Sequence, residues 1–212
     1  MVLFLEKISI MLSRIIKSFG NIYIYLKSWA VHLNNKEESY ATYAIMVLCT
    51  FIHFGGHGWA ATFSDLLAQP FALIGYIVTH PTFAHLFSNM MFLLLFGPAV
   101  ERYMKKAQYL TFFLLCGILS GIGFLSVYQG ALLVGASGAI SGLIAVYPLV
   151  QRTFLSRLVG AISCSAYFWI QLTSAIIDIQ TNQIGVAHLG HLLGGVIGLL
   201  LFNFLKQHNP DR

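Results

Sequence analysis

The sequence predicts an all-α membrane protein of six transmembrane helices, and three observations carry that prediction. Of its 212 residues, 58% are hydrophobic and 9% are charged. An ordinary soluble domain has roughly 25% charged residues, so water is not the solvent this chain is built for. Apolar stretches approaching or exceeding the roughly 20 residues that cross a bilayer recur along it. The connections between them alternate between Lys/Arg-bearing and Lys/Arg-free, as in a chain woven through a membrane.

Residues 1–40 come first and are expected to form a cytoplasmic amphipathic segment. They look apolar, but Lys7, Arg14, Lys17 and Lys27 interrupt them at intervals that forbid a span, so a helix lying on the leaflet surface is expected. A signal peptide is disfavoured because no small-residue cleavage site follows a clean apolar core. The six helices are then placed at 41–54, 86–104, 108–128, 136–150, 157–177 and 184–205, making a 41–205 domain followed by a 206–212 cytoplasmic tail. The first and fourth are short, which predicts that they pack among the others and not widely against lipid.

Orientation follows from the basic residues. Lys7, Arg14, Lys17, Lys27 and Lys36 precede the first helix, and Arg102, Lys105 and Lys106 join the second and third. Arg152 and Arg157 join the fourth and fifth, and Lys206 and Arg212 follow the sixth. All twelve fall on one side, while the opposite loops hold Asp65 and Asp178 and neither Lys nor Arg. Both termini are therefore expected in the cytoplasm of a bacterial cell whose inner membrane holds the protein. The net charge of +5 is dispersed along helix ends and implies no nucleic-acid partner. Cys49, Cys116 and Cys164 are odd in number and lie within helices, so they make no disulfide framework.

Six of the eight histidines (His53, His57, His80, His85, His188 and His191) fall at or beyond the outer helix ends. In "HPTFAHLFSN", His85 and Asn89 stand four residues apart on one helical face. In "LLVGASGAISG", Gly135 allows a tight backbone turn two residues ahead of Ser137, whose own amide is a free donor at a helix N-terminus. In "AHLGHLLGGVIG", the stripe Gly190, Gly194, Gly198 clears one helix face for close approach of a neighbour. If that neighbour carries Ser137, His191 can reach it. Polar groups in a bilayer are costly and mark function by default. A serine with an imidazole base and nearby amide or imidazole donors is equipment for acyl transfer.

These residues resemble the rhomboid family of intramembrane serine proteases over about residues 41–205, which implies a six-helix rhomboid bundle. "GASG" at 135–138 is similar to the family's GxSG motif and implies Ser137 as nucleophile. "HPTFAHLFSN" resembles HxxxxHxxxN, implying His85 and Asn89 as oxyanion partners and His80 as a structural histidine of the outer loop. "FGPAVE" resembles the ending of the second helix in which Glu101 holds the cytoplasmic ends of the bundle. The motif (A/G)HxxGxxxG fits best from His191, with Gly194 at plus three and Gly198 at plus seven; from His188, plus three is His191 and only Gly195 fits. His191 is thus the implied base and His188 a polar neighbour one turn nearer the surface.

Two departures from the family pattern stand out. Phe71 and Ala72 occupy the positions where rhomboids often carry Trp-Arg in the first outer loop, and Ser141 stands where many carry an aromatic that packs on the catalytic imidazole. The imidazole is then held more loosely, or His188 supplies the contact. Each signal alone also has a plainer reading: GxSG as a packing motif, GxxxG as a common helix contact, His80 as an interfacial histidine, Glu101 with Arg102 as an interfacial ion pair. Their conjunction, in the family's order and on the sides of the membrane that the roles require, favours the proteolytic reading. A metal transporter or metalloprotease would need carboxylate ligands, yet HExxH is absent and Asp178 alone lies near the last helix. A catalytically inert relative would lack the serine or the histidine. The expectation is a protease with neither metal nor cofactor, whose partners are transmembrane protein substrates and the lipid bilayer; nothing in the sequence sets an oligomeric state.

Overall fold

The computed structural model describes residues 39–69, 71–181 and 186–207, so the expected amphipathic segment, apart from residues 39 and 40, and the tail beyond 207 lie outside the described residues. The described chain is helical, with one isolated antiparallel bridge between Ala61 and Leu133. Its helices are α1 (Tyr40–Phe54), α2 (Asp65–Ala68), α3 (Ala72–Val78), α4 (Phe83–Tyr103), α5 (Lys106–Val127), α6 (Ser137–Val150), α7 (Phe154–Thr181) and α8 (His188–Gln207). Four of them, α4, α5, α7 and α8 to Leu205, are long and apolar enough to cross a membrane. Helices α1 and α6 are shorter apolar helices, as the sequence predicts.

Helix α6 sits at the centre. It packs against α4, α5, α7 and α8, and every residue from Ala139 to Pro148 is buried. A helix that is apolar all round belongs inside a bundle, and its enclosure explains why 14 residues suffice. The same expectation fails for α1. Only Thr42 and its stripe Ala41, Ile45, Cys49 and Ile52 are buried, chiefly against α4, while Phe51 is 73% exposed. With neighbours among the described residues along one face only, α1 turns the rest of its apolar surface away from them.

Helices α6 and α8 run parallel at very close range. A Cβ on Gly194 would collide with the Gly138 carbonyl oxygen, and one on Gly198 would lie 2.6 Å from Gly142 Cα. Gly190 does not share this face: it looks toward Phe124 of α5 at ordinary contact distance. The cleared faces thus put the backbone of α8 directly on that of α6.

At the opposite end of α4, Glu101 is buried and ties α1 to the bundle. Its carboxylate accepts from Ala41 N and Thr42 N, each at 2.8 Å, and from Thr42 Oγ1 at 2.6 Å. Thr42 Oγ1 is also hydrogen-bonded to the Tyr109 hydroxyl of α5. A negative charge on the free N–H groups of α1 is favourable for the same reason that anions bind at helix N-termini. This is the end of the bundle at which Arg102, Lys105 and Lys106 connect α4 to α5.

Candidate active site

Ser137 opens α6, so its N–H belongs to the first turn, whose donors have no partner within the helix. The turn before it depends on Gly135, at φ +105°, a conformation that L side chains rarely adopt. The Gly135 N–H donates to the Tyr76 carbonyl at 2.8 Å, and the buried Tyr76 hydroxyl donates to the Gly117 carbonyl of α5 at 2.6 Å. Leu133 and Ala61 exchange backbone hydrogen bonds of 2.9 and 3.0 Å. The segment between α1 and α4 is therefore fastened to the serine's turn through Tyr76 and Ala61. Phe71, where a Trp is common in the family, is 85% exposed and takes no part in the core.

The parallel register of α6 and α8 brings His191 to the serine. Its Nε2 lies 2.8 Å from Ser137 Oγ, across 54 residues of sequence. His188 does not reach the serine: its Nδ1 lies 2.8 Å from Gln171 Oε1 on α7, and His191 Nδ1 meets the same oxygen at 2.8 Å. The two imidazoles stand edge to face with centroids 6.0 Å apart. With a carbonyl oxygen as shared acceptor, both Nδ1 atoms carry the proton, and His191 Nε2 is left as the acceptor that a serine hydroxyl needs.

His85 lies against the same turn. A Cβ on Gly135 would come within 2.6 Å of its Cε1 and 2.7 Å of its Nε2. Asn89, buried, donates one amide N–H to the His85 carbonyl at 2.9 Å, leaving the other unused by that bond. The Ser137 amide, the His85 ring and the Asn89 amide thus belong to adjoining ends of α4 and α6. His80 is 3% exposed, and its ring stands 5.1 Å from that of His85, edge to face. Its carbonyl accepts from His53 Nδ1 at 2.7 Å, joining the loop to the end of α1. Burial, with the neighbouring His85 adding to it, lowers the His80 pKa to about 4. Glu101 is far along α4 from these groups, in the structural place described above. His57 is exposed in the turn after α1.

Three participants were not anticipated. Gln171 was legible as a polar amide in an apolar span, a feature that marks function by default. Tyr167 meets Ser141 itself: its hydroxyl is 2.8 Å from Ser141 Oγ, which in turn donates to the Ser137 carbonyl at 2.8 Å, while the ring set against the His191 imidazole is that of His188. Tyr76 acts through its backbone carbonyl, and no pattern in the sequence points to that. Among the described residues, no three His, Cys, Asp or Glu side chains gather as a metal site would require. The side chain that reaches both histidines is an amide, not Asp178.

Comparison with known proteins agrees with this architecture. A family model described as "Rhomboid domain" matches residues 67–208. The chain is 35% identical over 142 residues to "Putative rhomboid protease YdcA" of Bacillus subtilis (strain 168), covering 66% of this chain and 69% of that protein. It is 28% identical over 139 residues to "Rhomboid-like protein 11, chloroplastic" of Arabidopsis thaliana, covering 60% of this chain and 50% of the relative. A central α6 opened by Ser137, an α8 brought against it by glycines, and a family match across two thirds of the sequence lead to one conclusion: the chain belongs to the rhomboid family.

Proposed function

We propose that the protein is an intramembrane serine endopeptidase that cuts transmembrane segments of other membrane proteins near the outer face. The observation that carries this reading is the 2.8 Å hydrogen bond between His191 Nε2 and Ser137 Oγ. Six spans are inferred, α1, α4, α5, α6, α7 and α8, with the basic connections and both termini in the cytoplasm. The site then lies just below the outer surface of a bacterial inner membrane.

In this mechanism His191 takes the Ser137 proton as Oγ attacks the scissile carbonyl carbon. The carbonyl oxygen becomes an oxyanion that accepts hydrogen bonds from the Ser137 amide, His85 and the free N–H of Asn89. As the C–N bond breaks, His191 passes its proton to the leaving nitrogen, and the acyl group stays on Ser137. Water then gives a proton to His191 and its oxygen to the acyl carbon, and the serine recovers its proton. The reaction uses neither metal nor cofactor. A substrate helix is internally hydrogen-bonded, so a few residues must unwind before the serine can reach a carbonyl. Small or helix-breaking residues near the outer end of the substrate favour this step.

The test is cleavage of a generic single-span substrate by detergent-purified protein. Ser137→Ala and His191→Ala should each abolish cleavage at unchanged expression, because the pair acts as a unit. EDTA should have no effect. Chelator inhibition reversed by zinc, or a dead His188→Ala beside an active His191→Ala, would overturn the assignment.

A further inference from the structure

Two side chains of a third helix, α7, reach the Ser137–His191 pair, one through Ser141 and one at the imidazole. Ser141 Oγ has one proton and donates it to the Ser137 carbonyl, so the Tyr167 hydroxyl donates to Ser141 Oγ. This bond pins α7 to α6 one turn beyond the nucleophile. Gln171 lies four residues after Tyr167, on the same face of α7, and is 8% exposed. Its Oε1 meets two imidazole nitrogens of α8, each at 2.8 Å, one from His191 and one from His188.

We propose that Gln171 is a positioning residue of the Ser137–His191 pair: its Oε1 fixes the Nδ1–H tautomer of His191, and His188 holds Gln171 in place through the same oxygen. This inference rests on the proteolytic reading above. The amide orientation matters because the groups on its two faces are opposite in character. Turned the other way, its NH₂ would face both Nδ1 atoms, each imidazole would carry its proton on Nε2, and His191 could not accept from Ser137. The carbonyl face is the productive one, and a carbonyl oxygen has two lone pairs for two N–H donors. Gln171 touches no reacting atom; it acts through His191. The titratable side chains within electrostatic reach of His191 among the described residues are His188 of its own helix and His85 of α4.

The experiment is steady-state cleavage across pH in detergent, with thermal unfolding alongside. Gln171→Met keeps length and removes the acceptor, leaving a buried N–H unpaired. It should lower kcat by roughly 10- to 100-fold with KM within about twofold of wild type. Gln171→Glu restores the acceptor and adds a charge that favours the imidazolium. The acid limb of its kcat/KM profile should move to higher pH by roughly 1–3 units, with turnover retained on the alkaline side. A residue that merely fills space would move neither. His188→Ala should lower kcat several-fold alone and add nothing in the Gln171→Met background, since its effect passes through Gln171. Wild-type kcat in Gln171→Met, an unmoved acid limb in Gln171→Glu, or full additivity with His188→Ala would overturn the proposal. Should Gln171→Met fail to fold, the Glu variant's profile carries the test. If wild-type cleavage survives Ser137→Ala, the proteolytic reading itself fails and takes this inference with it; if cleavage depends on Ser137 and the Gln171 variants behave as wild type, only the positioning role is lost.

Discussion

Gly135→Ala separates a packing role for the GASG segment from a role in placing the oxyanion partners. The methyl group meets two obstacles. At φ +105° an L side chain is strained, which costs roughly 1–3 kcal/mol. The new Cβ would also stand 2.6 Å from His85 Cε1, and an ordinary contact begins at 3.4 Å, so the imidazole must withdraw by about 0.8 Å or the turn must open. Either way the Ser137 amide and the His85 ring lose their relative placement. A displacement of about 1 Å at a reacting centre can cost about 100-fold in rate. The expected outcome is therefore a fall in kcat of that order, with a modest loss of stability. The assay is cleavage of a single-span substrate by detergent-purified protein, with unfolding followed on the same sample. Combining the change with His85→Ala sharpens the test: if the loss passes through His85, the double variant should be no slower than His85→Ala alone. A Gly135→Ala enzyme that turns over at the wild-type rate would refute the reasoning.

Three further outcomes are expected. Truncating His85 or Asn89 to Ala should reduce kcat far more than it weakens substrate binding, by about 2.7–4 kcal/mol in barrier per donor, and equal effects on kcat and KM would count against an oxyanion role. Glu101→Ala should lower stability in denaturation experiments by about 1–3 kcal/mol for each buried donor left unpaired, because Ala41 N, Thr42 N and Thr42 Oγ1 lose this acceptor. Glu101→Gln should cost less, since one oxygen can still serve the two Thr42 donors while its NH₂ opposes Ala41 N. His80 titrates near 4 in the fold and near 6.5 when unfolded, so stability should be full above pH 6.5 and fall as pH drops toward about 4. Its Nδ1 faces the Val78 carbonyl and its buried Nε2 has no partner among the described residues, so a second ring proton would find no acceptor. His80→Asn should reduce the fall of the unfolding midpoint between those pH values relative to wild type.

The sequence by itself determined the solvent, the approximate spans and most of the candidate site. Composition and span length are sums over neighbouring residues, and folding does not alter them. The His191 register was legible through the resemblance, because the family's glycines at plus three and plus seven are both met from His191 and not from His188, and His191 is the histidine found beside Ser137. Tertiary structure decided what depends on several helices at once. That α6 is enclosed while α1 is exposed reflects the number of neighbours each acquires, and their similar lengths do not show it. The start of α4 moved for a local reason: the Thr82 side chain caps His85 N, and α4 begins at Phe83, ahead of the expected residue 86. Tyr167 and Gln171 on α7 meet Ser141, His188 and His191 because the packing of three helices fixes their relative rotation and height. A sequence shows which residues share a face of one helix. Which faces meet, and at what depth, is set by side chains and glycines far apart in the chain, and only the assembled bundle brings one amide oxygen to two imidazoles.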